Sequence, residues 1–153
     1  MLNLQITVNG KEKVIADLEN LSGKGKNLRP AFKVAGGFIL ESTQRTFMAG
    51  GRPERWAPLS PVTILLRKHG GNIPLHDRGI LKTSIGIMEL SNGLVRVGTS
   101  EPQAKLLHFG GEAKGFIKGH PRIPARPFMH LLPEDVENIV KVFMEHIAGD
   151  VAK

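Results

Sequence analysis

The chain has 153 residues, of which 41% are hydrophobic, so we expect one domain with one sizeable core over residues 1–153. It contains no cysteine, which excludes disulfides, thiolate zinc sites and a cysteine nucleophile. Its formal net charge of +7 suggests a polyanionic neighbour, either nucleic acid or an acidic protein surface. No apolar stretch approaches the about 20 residues of a membrane span, and residues 1–8 lack the pattern of a signal peptide, so we expect a cytoplasmic product without a membrane partner.

The charge is unevenly distributed along the chain. Residues 22–70 carry nine lysines or arginines against two glutamates, a balance of +7. Residues 131–153 carry two lysines against five acidic residues, a balance of −3. A basic body with an acidic terminal helix can associate head to tail with its own copies, whereas ordinary solvated faces are the simpler alternative.

The first third of the chain predicts one strand and two helices. Residues 2–8 alternate apolar and polar side chains, which is typical of a strand with one buried face. Helical spacing over residues 14–21 predicts a short helix, and the glycines and lysines of residues 22–26 predict a flexible connector. The long helix is predicted over residues 28–48, where Gly36 and Gly37 indicate a close approach to another element or a kink.

Loops and short elements follow in the middle of the chain. Residues 50–59 predict a surface loop anchored by Trp56, and Ser60 with Pro61 begins a helix of two turns. Residues 84–90 and 94–99 predict a hairpin, because an Asn-Gly pair lies between two strand-like runs. The glycine-rich residues 110–121 predict a projecting loop.

The C-terminal part combines a proline-rich ribbon with a helix. Residues 123–128 (IPARPF) can form only an edge strand or a rigid ribbon, because each proline fixes φ and lacks an amide donor. An apolar stripe and acidic first turn predict the last helix over residues 133–148. We therefore predict an α+β fold: a small mixed or antiparallel sheet of the N-terminal strand, the hairpin and the ribbon, packed against the long and C-terminal helices, with long projecting loops.

The sequence lacks the usual signs of an enzyme. None of the six histidines has the spacing of a known metal site, and no Walker-type phosphate loop is present. Ser60 has no glycine elbow and is already explained as a helix cap. We therefore predict no catalytic, cofactor-binding or metal-binding residues.

Four ordered blocks of the chain carry a resemblance to a known family. Residues 51–59 (GRPERWAPL) are the first, and they match the Gly-Arg-Pro-x-x-Trp-x-Pro-Leu loop of the virion morphogenesis family of tailed phages, which the chain resembles. A second block spans residues 75–85, with Arg78 where threonine is commoner. A third covers residues 97–110, with Gln103 where tyrosine is usual, and the fourth is the ribbon of residues 123–128.

The resemblance implies a non-enzymatic structural protein of a phage or prophage tail or neck. Such a protein acts in tail completion and head-to-tail joining, in contact with other tail or neck proteins. It would be made in the bacterial host cytoplasm and remain in the virion. The resemblance also implies several copies around the tail axis, and therefore a ring-shaped homo-oligomer.

The candidate interface residues include arginine and aromatic types that are enriched at interaction hot spots. They are Arg52, Arg55, Trp56, His108, Phe109, Arg122, Arg126 and Phe128. Two of them have an equally simple structural interpretation. Trp56 can instead anchor its own loop, and Arg126 can instead form an internal ion pair with Glu54 or Asp77, an interpretation that we slightly favour.

Two other functions stay open at this stage. A nucleic-acid-binding protein would use the basic residues 22–70, with an affinity that falls steeply as salt rises, although no recognition helix is apparent. The absence of tyrosine and the single tryptophan also make a poor base-stacking surface. A prophage-encoded hydrolase would require a site such as His76 and Asp77, which we consider the least favoured.

Overall fold

The computed structural model describes residue 16 and residues 19–20, 22–23, 25–67, 69, 71–113 and 122–149. The predicted strand over residues 2–8 lies outside the described residues, as do most of the predicted first helix and residues 114–121 of the projecting loop. The connector prediction is wrong where it can be compared, because Ser22, Gly23, Gly25 and Lys26 are helical.

From residue 29 onwards, the described part of the chain forms five helices and four short strands. In chain order they are α1 (Arg29–Ala49), α2 (Pro61–Leu66), α3 (Ile80–Ser84), β1 (Gly86–Leu90), β2 (Val95–Gly98), α4 (Ala104–Phe109), β3 (Gly111–Glu112), β4 (Arg122–Ile123) and α5 (Pro133–Ala148). The predicted α+β class is confirmed, with α1 as the long helix and α5 as the C-terminal helix. None of the described helices combines the length and apolar composition needed to cross a lipid bilayer.

Both ends of α1 are capped by hydrogen bonds. At its start, the side-chain oxygen of Asn92 accepts the backbone N–H groups of Leu28 and Arg29, at 2.5 and 3.2 Å. At its end, Gly50 is left-handed and the amide of Gly51 donates to the carbonyl of Thr46 at 2.9 Å, which forms a Schellman cap. The hairpin turn that contains Asn92 is therefore tied directly to the start of the long helix.

The strands form two separate antiparallel pairs in the described part of the chain, rather than the single sheet that we expected. Strands β1 and β2 pair from Gly86↔Gly98 to Leu90↔Val95, which confirms the predicted hairpin. Strands β3 and β4 pair through only two residues each. The rest of the ribbon cannot extend this pairing because its prolines lack amide donors, and the N–H of Arg126 donates to the carbonyl of Leu107 instead, at 2.9 Å.

Helix α5 matches its prediction and packs on α1. Pro133 occupies its first turn, and Asp135 in that turn accepts the backbone N–H of Leu132 at 3.0 Å. The rings of Phe32 and Phe143 meet edge to face across the two helices, with centroids 4.8 Å apart.

The central apolar cluster lies where α1 meets the loops and short helices. Its buried members are Phe47, Trp56, Leu75, Leu81, Ala104 and Phe128. The ring of Phe47 lies 5.4 Å from that of Trp56 and 5.6 Å from that of Phe128. The loop after α1 and the proline ribbon are thus joined through one helix residue.

Candidate protein interface

The loop after α1 is a tight turn that requires glycine. Gly51 has a φ of 116°, a conformation that side chains disfavour. A Cβ at this position would lie 2.5 Å from the carbonyl oxygen of Glu54 and 2.6 Å from the amide nitrogen of Trp56. The amide of Trp56 also donates to the carbonyl of Gly50 at 2.8 Å, so the loop folds back on the helix end.

Trp56 lies inside the domain and anchors this loop. Its side chain is 7% exposed, and its indole N–H donates to the carbonyl of Pro127 at 2.7 Å. Of the two interpretations that the sequence left open, the geometry corresponds to the loop anchor. Phe128, another candidate interface residue, is 2% exposed and belongs to the same cluster.

Arg126 joins the ribbon to the loop from the other side. It is 5% exposed, and its guanidinium donates to the carbonyls of Ala57 and Pro58 at 2.9 and 3.0 Å. Burial, together with the nearby charge of Arg67, holds the pKa of Arg126 below its usual value. The residue is internal, as we favoured, but the expected ion pair with Glu54 or Asp77 is wrong, because backbone carbonyls take the place of a carboxylate.

Arg52 belongs to a buried polar cluster between α1 and α5. The cluster is centred on Asp135, which is 1% exposed. Arg52 donates to the carboxylate of Asp135 at 3.3 Å and to the hydroxyl of Ser42 at 2.8 Å. Arg45 and Ser42 also donate to this carboxylate, at 2.8 and 2.6 Å. We call Ser42, Arg45, Arg52 and Asp135 the Asp135 cluster.

The Asp135 carboxylate is stabilised in its charged form. Burial alone would raise its pKa, but the opposing contributions prevail. These are the hydrogen bonds from Ser42 and from the amide of Leu132, followed by the charges of Arg45 and Arg52. The pKa of Asp135 is therefore lower than its usual value, and the cluster contributes to folding at neutral pH.

His108 supports the ribbon with a neutral ring. The amide of Phe128 donates to its Nδ1 atom at 3.4 Å, and the two rings meet edge to face with centroids 5.0 Å apart. Burial, together with the neighbouring His130, lowers the pKa of His108. A lowered pKa suits this contact, since a neutral Nδ1 can accept a hydrogen bond and a protonated one cannot.

Three candidate residues are on the surface. Arg55 and Arg122 are exposed, and Phe109 at the end of α4 is 71% exposed. The structure therefore divides the eight candidates into this exposed set and five residues that hold the loop, the ribbon and the helices together. Residue type alone could not separate the two, since arginines and aromatics serve both purposes.

An open groove of about 770 Å³ lies beside α2, and we did not predict it from the sequence. Its walls come from the loop after α1, from α3 and from the ribbon, and they include Leu75, Ile80 and Ile123. The cations of Arg67, Arg78, Arg122 and Arg126 also line it, with Asp77 as the acidic side chain. Segments distant in the sequence build these walls, so no local pattern indicates the groove.

Within the described residues, no group of three or more histidine, aspartate or glutamate side chains is arranged to hold a metal ion. His76 and Asp77, the residues required by the hydrolase alternative, are both exposed. The arrangement offers instead a rigid frame with exposed arginine and apolar side chains around a groove.

Comparisons with known proteins agree with the sequence resemblance. The model of the phage virion morphogenesis family matches residues 10–148. The Mu-like prophage FluMu G protein 2 of Haemophilus influenzae is 31% identical over 143 residues, which cover 94% of this chain and 95% of that protein. No solved structure matches significantly. Because the family model spans most of the chain and the relative aligns over nearly its full length, the chain belongs to the phage virion morphogenesis family.

Proposed function

We propose that this protein is a non-enzymatic structural component of a phage or prophage tail or neck, acting in tail completion and head-to-tail joining. The observation that carries the proposal is the family match over residues 10–148. The similarity to a Mu-like prophage protein supports the same class of role.

The geometry is suited to contacts between proteins. The loop after α1 and the ribbon are fixed to each other by Trp56 and Arg126, so the exposed Arg55 and Arg122 project from a frame that is already ordered. A surface ordered before binding loses less conformational entropy in the complex. Phe109 adds an exposed aromatic side chain of the type that fills a partner's pocket.

We further propose that the partners are other tail or neck proteins and that several copies form a ring in the particle. The protein would be made in the host cytoplasm and remain in the virion. A ring requires two different surfaces on each copy, which the uneven charge distribution can supply.

The test is deletion of the gene from an inducible phage or prophage, with a plasmid copy as the complementing control. We expect heads and tails to form separately, as seen by electron microscopy of the lysate, while the infectious yield is lost. The plasmid copy should restore that yield. A normal infectious yield from the deletion would contradict the proposed function.

A nucleic-acid-binding role is the alternative, favoured by the net charge of +7. Several basic side chains of residues 22–70 already have internal partners, since Arg45 and Arg52 pair with Asp135, and Arg67 donates to the carbonyls of Gly71 and Ile73. Binding to duplex DNA measured over a salt series separates the two roles. A strong dependence on salt, together with an intact infectious yield from the deletion, would favour the alternative.

A further inference from the structure

The residues that line the groove beside α2 carry an excess of positive charge, with four arginines against Asp77. The guanidinium groups of Arg67 and Arg126 both donate to backbone carbonyls, which bear no formal charge. The two cations are close enough for Arg67 to disfavour the charged form of Arg126. Asp77 lines the same groove but forms no ion pair with a described residue. A buried cation without a counter-charge is costly, so the groove is suited to an acidic occupant.

The lining of this groove is partly apolar, as at Ile80, and the helix α2 beside it is open to solvent. Helix α2 has no buried residue, and its Leu65 and Leu66 are 85% and 75% exposed. Thr63 of the same helix lines the groove, together with Leu59 before it. Apolar side chains around a concave basic surface are typical of a site for another protein segment rather than of a solvated face. We call the groove together with helix α2 the α2 groove.

The chain itself contains a segment of the complementary type. Helix α5 has exposed apolar side chains at spacings of four, four and three residues, so that they lie in one stripe along the helix. They are Val136, Val140, Met144 and Ile147. From its first to its last residue the stripe is about 16 Å long, at 1.5 Å of rise per residue. We call these four residues the α5 stripe.

Among the described residues of α5, one unpaired carboxylate lies beside the α5 stripe. The other acidic residues of the helix already have partners: Asp135 in its own cluster, Glu134 with Arg52, and Glu145 with Lys141. Glu137 is exposed, lies beside the stripe and forms no ion pair with a described residue. The helix thus combines an apolar stripe with an available carboxylate, opposite in charge to the α2 groove.

We propose that the α5 stripe of one copy docks in the α2 groove of a second copy, with Glu137 facing the groove arginines. The α5 stripe and the α2 groove share no residue, so each copy can bind one neighbour through its stripe and another neighbour through its groove. Such a head-to-tail contact is heterologous and closes into a ring when the rotation between copies permits. The inference names the contact within the proposed ring, and its meaning in the virion rests on the proposed function.

Cross-linking tests the contact directly, because the natural chain has no cysteine. Ile80→Cys and Met144→Cys variants are mixed and treated with a flexible bis-maleimide, which does not require the geometry of a disulfide. Ile80 lines the groove and is exposed. We expect the mixed pair to cross-link about tenfold more than Ile80→Cys mixed with Met88→Cys, because docking raises the effective concentration of the two thiols. Met88 is the matched control, since it is an exposed methionine on β1. Equal cross-linking in the two mixtures, or Ile80→Cys linking mainly to itself, would overturn the proposal.

Charge reversal provides an independent measurement with the same purified protein. We expect sedimentation velocity to show association that grows with protein concentration, weakens in high salt and is reduced in Glu137→Arg. Adding the Arg122→Glu change to Glu137→Arg should restore part of the association, since Arg122 lines the groove. A wild-type protein that stays monomeric at its highest soluble concentration, or an association indifferent to Glu137→Arg, would count against the α5 contact.

These measurements can fail while the proposed function stands. If the cross-link is absent but the wild-type gene still restores the infectious yield of the deletion, the protein acts in assembly through another surface. If the deletion has a normal yield but the cross-link forms, the contact exists and the proposed function is wrong.

Discussion

At the scale of single residues, Asp135 is the clearest case of a side chain whose role depends on distant partners. Its carboxylate lies on α5, whereas Ser42 and Arg45 lie on α1 and Arg52 lies on the following loop. The cluster therefore ties three parts of the chain at one buried point. Arg52, which we considered an interface residue, donates hydrogen bonds to Ser42 and Asp135 of this cluster and to Thr46 of α1.

Replacing Asp135 by asparagine tests the cluster. Asp135→Asn keeps the size of the side chain but removes the negative charge that faces Arg45 and Arg52. We expect the free energy of unfolding at pH 7 to fall by about 2–4 kcal/mol, as for other buried pairs that lose one partner. Urea denaturation monitored by circular dichroism measures this free energy, and Glu137→Gln, at an exposed position on the same helix, is the control. Equal stabilities of the two variants would contradict the structural role.

The pH dependence of this difference has a definite sign. Because the pKa of Asp135 is lowered by folding, its contribution is present above the pKa of the unfolded chain. It is lost as the pH falls through the lower, folded value. The difference in the free energy of unfolding between wild type and Asp135→Asn should therefore decrease as the pH is lowered.

His108 should make folding sensitive to mildly acidic pH. Its pKa is lowered from 6.5 in the folded protein, so near and below that pH the unfolded chain binds more protons than the folded one. Stability that is fully present above about pH 6.5 is therefore lost as the pH falls. We expect His108→Gln to reduce this loss between about pH 7 and pH 5, and the exposed His76→Gln to leave it unchanged. A thermal-melting series over this pH range is the measurement, and identical pH profiles for all three proteins would contradict the assignment.

At the scale of elements, the contact between α1 and the β1–β2 hairpin depends on the small size of Gly36. A Cβ on Gly36 would lie 2.8 Å from Cγ2 of Val95 and 3.0 Å from Cδ1 of Ile87. Gly37, the next residue, has no atom within 4 Å of the corresponding position. The close approach that the glycine pair predicted is therefore confirmed, and it belongs to Gly36.

The two glycines form a matched pair for mutation. Gly37→Ala should stabilise the protein by about 1 kcal/mol, because alanine favours the helix and meets no neighbour. Gly36→Ala gains the same helix propensity but must displace the hairpin, at an expected cost of about 1–3 kcal/mol. Denaturant titration of both variants should rank Gly36→Ala below Gly37→Ala. Adding Val95→Ala should reduce the difference in stability between the two variants. Equal stabilities of Gly36→Ala and Gly37→Ala would contradict the packing.

Elements with strong local signals were predictable from the sequence. Helix α5 has an apolar stripe, an N-terminal proline and acidic residues, and the hairpin has its Asn92-Gly93 turn. Ser60 caps α2 as predicted, accepting the amide of Thr63 at 3.2 Å. These features are encoded within a few neighbouring residues.

Elements that depend on long-range packing were not predictable in the same way. The short helices α3 and α4 have only five and six residues, too few for a periodic pattern to develop. The ribbon resembles an edge strand in sequence, but its prolines leave it attached mainly through Arg126 and Trp56 to segments about 70 residues away. Likewise, an arginine or a tryptophan is suited both to a buried anchor and to an interface. Only its burial in the structure distinguishes the two roles.

At the scale of the whole molecule, structural residues and available residues occupy different places. The loop and the ribbon are held together by the buried residues Trp56, Arg126 and Phe128, while Phe109 is exposed to solvent. A large exposed aromatic contributes little to the stability of an isolated domain, and its exposure is more easily explained by a contact made in the assembled particle. Stability and assembly should therefore respond to different substitutions.

Phe109→Ala tests this separation in the infectious particle. We expect its free energy of unfolding to change by less than about 0.5 kcal/mol, as is usual for surface substitutions, because the ring is largely in solvent. When the variant gene complements the deletion, the infectious yield should fall by about tenfold or more if the ring fills a partner's pocket, as loss of a hot-spot contact would cause. Met88→Ala is the matched control, since it also removes an exposed apolar side chain but lies on β1. A yield for Phe109→Ala equal to that of Met88→Ala, with both proteins folded, would remove Phe109 from the interface and leave Arg55 and Arg122 as its exposed candidates.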